Sequence, residues 1–338
     1  MREIIEVDAK GILFIGDPHM SSRRPGRRMD ENYSETVASK LEQAFAIAAE
    51  RDLYPVILGD LFDDERDSQA AMLTRTIRAL AGAAKRPLTI VGNHEKTQFF
   101  LTDDTALAAL REARVIDTLE RDGARVVVRA GGKRILIGGT PYGQDFPASV
   151  ADLRAAHGAD WVIWLSHHDL AFQGAYPGSS PIAEIEGADM LVNGHMHKPT
   201  PPVKAGAMVA FNPGNIVLMS VDCREQSPAV WSWEPGEGQA LRRHDLRQDQ
   251  DEMDLAGYVF DEAAQATVDE AKADLSIRES TFARLLKARQ AEDATQTDDA
   301  QFLKEEMEAL HQEMGSDDGF KAYTVDLLEE SLREFRES

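Results

Sequence analysis

The amino-acid sequence predicts a layered α/β fold with an acidic helical extension. Three observations lead there. Short apolar runs alternate with helical stretches through roughly the first hundred residues. Strand-like runs then follow one another with little helix between them, and the composition changes abruptly near Asp249.

Each element has its own justification. Gly11–Asp17 (GILFIGD) is a continuous apolar run ending in polar residues, the pattern of a buried strand. Tyr33–Asp52 has helical periodicity, with Leu41, Phe45 and Ala48 or Ala49 on one face. Tyr54–Asp60 (YPVILGD) is a second strand, Ser68–Ala84 a second helix and Pro87–Asn93 (PLTIVGN) a third strand. That order implies parallel strands. Next come ARVVVRA, KRILIGGTPYG, WVIWLSHHD and ADMLVNGH, each strand-like, the last ending in a glycine turn. AMVAFNPGNIVLMSVD and PAVWSWEPG read as later, antiparallel strands. The second half of the domain is expected to form another sheet packed on the first. No internal repeat is visible.

From Asp249 onward Pro disappears, Gly becomes sparse and Ala, Glu, Asp, Gln and Leu dominate. Two amphipathic helices are predicted there, at Thr281–Gln290 and Ala322–Phe335. They either dock on a partner or pack on the protein's own core. The expected domains are 1–245 and an acidic helical extension, 246–338.

Composition bounds the function. Of 338 residues, 43% are apolar, so a sizeable core can be buried. The single cysteine, Cys223, excludes a disulfide framework and fits a reducing cytoplasm. GILFIG is short and follows acidic residues, which does not read as a secretory leader, and no apolar run approaches a membrane span. The net charge is −22. Residues 245–338 hold 26 acidic and 10 basic side chains, a net of −16, which leaves −6 for the rest. Such a surface repels nucleic acid unless a basic patch or bound cations reverse the field locally.

The chemistry lies at strand ends. Asp17 and His19 follow the first strand, Asp60 the second, and Asn93 and His94 the third. His167 follows WVIWLS, and His195 and His197 follow MLVNG. Six of the nine histidines fall at such ends. Ligands of layered α/β folds bind outside the carboxyl ends of strands. Each short motif alone is prone to false positives, and a GD after a strand is often just a turn. Together they deliver carboxylate, imidazole and amide oxygen to one region, with no thiolate. That set suits Mn, Fe or Zn in a reactive site and is too large for one ion. Two divalent ions about 3.5–4 Å apart, bridged by one carboxylate, would use it. His195 and His197, two apart, can each face a different ion, and Gly194 lets the backbone turn close to them.

The order GDPH, GDLFD, GNHE, His and GHMH resembles the calcineurin-like metallophosphoesterase superfamily, over roughly Gly11–Asp222. The resemblance implies a four-layer α/β/β/α sandwich with two metals at the strand ends. It implies that Asp17, His19, Asp60 and His197 hold one metal, and that Asp60, Asn93, His167 and His195 hold the other. His168 is the competing choice for the fourth segment. His94 would act on the phosphate, stabilising the transition state or protonating the leaving oxygen. NPGN (Asn212–Asn215) matches the family's Pro-Gly turn.

Within the superfamily, GDLFD followed by an Ala-, Leu- and Arg-rich helix is similar to the SbcD-type DNA repair nucleases. Glu95 departs from the Asp most frequent there. That branch implies DNA as substrate, manganese as the metal and an SMC-like coiled-coil ATPase partner bound through the C-terminal helices. A homodimer is also compatible. The alternative is a small-molecule phosphodiesterase or phosphomonoesterase acting on cyclic nucleotides, nucleotides or phosphoproteins. A catalytically silent scaffold is disfavoured, because the ligand set is complete. SSRRPGRR carries the densest positive cluster, Arg23, Arg24, Arg27 and Arg28, either a clamp for a nucleic-acid backbone or a solvated loop. Tyr142 and Phe146 are equally consistent with lining the cleft and with packing in the core.

Overall fold

The computed structural model describes residues 4–96, 100–172, 179–219, 223, 226–236, 241–248 and 253. The chain divides into two units, Met1–Tyr258 and Val259–Ser338, and every described residue lies in the first. The helices predicted at Thr281–Gln290 and Ala322–Phe335 lie outside the described residues.

In chain order the strands are β1 (Ile5–Asp8), β2 (Gly11–Ile15), β3 (Leu53–Ile57), β4 (Leu88–Ile90), β5 (Asp117–Leu119), β6 (Gly123–Ala130) and β7 (Lys133–Thr140). They continue as β8 (Trp161–Ser166), β9 (Met190–Asn193), β10 (Thr200–Ala205), β11 (Met208–Asn212), β12 (Ala229–Trp233) and β13 (Arg242–Asp245). The helices are α1 (Tyr33–Arg51), α2 (Ala70–Ala81), α3 (Ala106–Glu112) and α4 (Ala151–Ala156). One sheet has six strands, in the order β13-β12-β2-β3-β4-β5. The other has seven, β1-β6-β7-β8-β9-β11-β10.

The side-chain alternation of β2 shows why the layers form. Ile12 and Phe14, with Val56 and Ile90 of the same sheet, face the other sheet, where they meet Val128, Ile137, Ile163 and Leu165. Leu13 and Ile15 face the opposite way, onto Val37, Leu41 and Phe45 of α1 and Met72 and Leu80 of α2. A strand buried on both faces reads as an unbroken apolar run. Asp52 ends α1 in the left-handed region (φ 58°), its N–H bonded to the Ala48 and Ala49 carbonyls, and the chain turns directly into β3.

The fold is therefore the expected two-sheet α/β sandwich, with differences in detail. The helical layer on the six-stranded sheet is substantial. The outer face of the seven-stranded sheet is covered by the short α4 and by irregular segments carrying Val150, Leu170, Phe172 and Ile185. The later strands are not all antiparallel neighbours in one sheet. β11 runs parallel to β9, and β12 crosses back to lie antiparallel to β2 in the six-stranded sheet. The first unit also continues past Asp245. Leu246 is buried in its core, Lys40 Nζ donates to the Arg247 carbonyl at 3.0 Å, and Met253 pairs with Arg28.

Candidate metal centre

The motif residues converge where β2, β3, β4, β8 and β9 end. Backbone conformation marks the place. Six non-glycine residues among those described have positive φ, and Asp17 (22°), His19 (48°), Asp60 (43°) and His195 (70°) are four of them. Such conformations are costly and persist where the surroundings fix them, often at functional sites. Close packing adds a second constraint. A Cβ on Gly92 would lie 2.1 Å from Asp60 Oδ1, and one on Gly194 would lie 2.1 Å from the Leu58 carbonyl. The sharp turn after β9 is made by His195 itself, with Gly194 providing clearance.

Asp60 sits at the middle. Its Oδ2 lies 3.0 Å from His167 Nε2 and 3.9 Å from His19 Nε2. Its Oδ1 accepts the His94 backbone N–H at 3.0 Å. On one side, His19 Nε2 and His197 Nε2 are 2.9 Å apart. That is the spacing of neighbouring donors on one cation with metal–nitrogen distances of about 2.0–2.1 Å. On the other side, Asn93 Oδ1 lies 3.1 Å from His167 Nε2 and 2.9 Å from His195 Nδ1. Among the described residues, Asp60, His167 and His195 form one cluster of metal-binding geometry, and His19, Asp63 and His94 form another.

Two electrostatic features fit divalent cations. Asp17 is buried, and neither carboxylate oxygen has a hydrogen-bond partner. Two unsatisfied buried oxygens are expensive, and an adjacent cation would satisfy both. Burial disfavours a charged His167, yet Asp60, Asp17 and the Leu58 carbonyl push its pKa up to about 10. Burial also works against the Asp60 carboxylate, but His167, His19 and His94 outweigh it and hold its pKa well below the usual range. A bound cation would replace the proton as counter-charge.

The candidate ligands are braced from outside. His167 Nδ1 donates to the Leu58 carbonyl at 2.7 Å, which turns Nε2 inward. His19 Nδ1 contacts Asp63 Oδ1 at 3.2 Å, and His195 Nε2 contacts Asp169 Oδ2 at 3.2 Å. Glu95 is fully buried and accepts N–H bonds from Asp60 (3.0 Å), Phe62 (3.2 Å) and Gly92 (2.7 Å), tying the second motif to the third. Burial and the neighbouring Asp60 raise its pKa to about 7, against the pull of these donors. Asp63, Asp169 and the bracing role of Glu95 were not anticipated from sequence. His94 Nδ1 donates to the Asp63 carbonyl at 2.7 Å, and its ring stands edge-on 5.0 Å from that of His19.

His168 points elsewhere. Its Nε2 donates to the Gln144 carbonyl at 3.1 Å, Phe146 packs 4.7 Å from its ring, and burial pulls its pKa down to about 4. Phe146 packs with the outer core of the seven-stranded sheet. Tyr142 lies at the centre: its half-buried ring is 5.6 Å from that of His195 and 6.4 Å from that of His167.

The arginine cluster is divided. Arg23, Arg24 and Arg27 are exposed. Arg28 corrects the expectation that all four reach substrate: its side chain is fully buried and holds Asp30 through two 2.7 Å bonds, Nε to Oδ2 and Nη2 to Oδ1. A guanidinium so enclosed cannot touch a nucleic-acid backbone.

Residues 11–199, more than half of the chain, match the calcineurin-like phosphoesterases. The chain belongs to the calcineurin-like phosphoesterase family. The fold of that family binds divalent metals, and the clustered donors above are candidate metal sites. No curated relative matches the sequence. Solved structures similar to this chain include a 5'-nucleotidase precursor from Thermus thermophilus, at 16% identity and a TM-score of 0.42, covering 80% of this chain and 59% of that one. A Haemophilus influenzae NAD nucleotidase matches at 14% identity and 0.42, covering 80% and 60%. A putative 5'-nucleotidase from Staphylococcus aureus matches at 13% and 0.39, covering 78% and 58%. The chain spans about three fifths of the length of each. Among the described residues, no helix is long and apolar enough to cross a membrane.

Proposed function

We propose that this phosphoesterase is a two-metal hydrolase of small phosphodiesters that carry a nucleoside or similar flat group. Asp17, His19, Asp60 and His197 would hold one ion, and Asp60, Asn93, His167 and His195 the other. Manganese is the proposed metal, with iron or zinc suited to the same donors. When bound, such a pair lowers the pKa of a water and neutralises the charge developing on phosphorus. His94, fixed through Nδ1 by the Asp63 carbonyl, leaves Nε2 to stabilise that charge or to protonate the departing oxygen.

The observation that carries the small-ester reading is the placement of Tyr142. Its N–H bonds to the Val91 carbonyl at 3.2 Å, and Lys96 Nζ donates to its carbonyl. The ring is thus fastened to the GNHE loop beside the ligand histidines, where it can support one flat group next to one phosphate. The exposed Arg23, Arg24 and Arg27 favour a second reading, an SbcD-type DNA nuclease working with a coiled-coil ATPase. The loss of Arg28 to the interior and the net charge of −22 weigh against a long polyanion.

Purified, manganese-loaded protein tested side by side on a nucleoside phosphodiester, a chromogenic phosphodiester, and linear double- and single-stranded DNA separates the two. Turnover of the small esters with DNA intact supports the proposal, and Tyr142→Ala should raise KM for the nucleoside ester alone. Degradation of DNA that disappears in His94→Ala would replace it with the nuclease reading.

A further inference from the structure

The segment after the first motif is pinned at both ends. At its start, Met20 pairs with Phe62, and the Ser22 N–H donates to Asp67 Oδ2 at 2.6 Å. At its end, Arg28 holds Asp30 bidentately, donates Nη1 to the Leu218 carbonyl at 3.2 Å, and lies over the Tyr33 ring. Asp30 Oδ1 also accepts from Thr36 Oγ1 of α1 at 2.7 Å. The Leu218 segment is itself tied to the metal region, through the Ile216 N–H to the Gly16 carbonyl and the Asn215 N–H to the His197 carbonyl, both at 3.1 Å. Between the two anchors stand five residues, Arg23, Arg24, Pro25, Gly26 and Arg27, of which three are exposed arginines.

A buried ion pair is a poor source of stability but a good fixer of geometry. An arm held this way loses little further entropy when its arginines meet an anion. Arg23 is four residues past His19, within about 14 Å of it along the chain. No partner for its guanidinium is found among the described residues. The arm departs from the His19 side of Asp60, where His94 stands, whereas Tyr142 lies on the side of His167 and His195.

We infer that the Arg23–Arg27 arm, locked by the Arg28–Asp30 pair, is a subsite for a second phosphate on the leaving-group side of the ester. Arg23 is its leading contact, with Arg24 and Arg27 beside it, and Arg28 is a positioning residue. The substrate class is then a phosphodiester whose leaving group itself bears a phosphate, such as a dinucleotide with a terminal phosphate. The inference rests on phosphodiester hydrolysis at the metal centre.

The test compares two diesters that differ only in a terminal phosphate on the leaving group. The wild-type protein should prefer the phosphorylated diester in kcat/KM. Arg23→Ala/Arg24→Ala/Arg27→Ala should reduce that preference about tenfold or more, through KM. Arg28→Lys keeps the charge but loses the fork, and should reduce it similarly at a Tm that shows a folded protein. Arg243→Ala, an exposed arginine elsewhere, should leave the preference unchanged. A wild-type protein with no preference, or a triple variant that keeps it, would overturn the subsite; a folded Arg28→Lys that keeps it would overturn the anchoring role. If Arg28→Lys fails to fold, the triple variant decides alone. Calorimetric titration of the phosphorylated leaving group into the metal-loaded proteins reads the subsite without turnover, so failure of the subsite and failure of the hydrolytic reading are told apart.

Discussion

The two sides of the metal region are braced differently, the His19 side through a carboxylate and the other through a backbone carbonyl at His167 and a carboxylate at His195. His167 is buried and oriented by a backbone carbonyl, that of Leu58 at the end of β3. His19 is equally buried but oriented by a side chain, Asp63, which is 31% exposed. His195 depends on Asp169, which is 55% exposed. A carbonyl brace is present whatever the residue and does not titrate. A carboxylate brace can be deleted, and its strength depends on solvent. The His167 ligand should therefore be insensitive to single substitutions around it, and the His19 and His195 ligands should not.

The largest effect tests what the two sides share. Asp60→Ala should abolish binding of both ions and all phosphoesterase activity, measured by metal analysis after dialysis and by chromogenic hydrolysis. Retention of one tightly held ion would show that the sides are independent. Next in size, Asp63→Ala should weaken one ion about 10–100-fold and leave the other in place, seen as a split in a two-site metal titration. Equal weakening of both would break the contrast. Asp169→Asn should have a smaller effect, about a few-fold, because solvent already screens that pair.

The smallest effect uses His168, the neighbour that faces away. Burial depresses its pKa from the ordinary value of about 6.5 to about 4. Between these values the unfolded chain binds more protons than the folded one, so this group's contribution to stability is lost as pH falls through that window. His168→Gln should flatten the dependence of the unfolding free energy on pH there, by at most about 1.4 kcal/mol per pH unit, read from denaturant titrations at a series of pH values. An unchanged slope would show that His168 is not buried neutral.

Much of this arrangement is legible in the sequence because function and strand ends coincide. β2, β3 and β8 are buried on both faces, so they read as unbroken apolar runs, and each ligand motif follows such a run directly. β5 has three residues and β13 is nearly all charged, and neither carries a periodic signal. β10 contains Pro201 and Pro202, tolerated because it is an edge strand. The braces were hidden for a different reason. A carbonyl such as that of Leu58 has no sequence signature, and Asp63 stands in an acidic run, DDERD, where nothing singles it out. Nor does the spacing in RRPGRR reveal which arginine turns inward; the signal that could have told was Asp30 and Tyr33 just downstream of Arg28.

The central claim is that the clustered residues divide between holding metal and acting on phosphate. Metal content and hydrolysis measured together on wild-type and His94→Ala protein test it most directly. Two ions per chain in both proteins, with hydrolysis reduced about 100-fold or more in the variant, is the predicted result. A His94→Ala protein stripped of metal, or a wild-type protein that saturates at one ion, would contradict it.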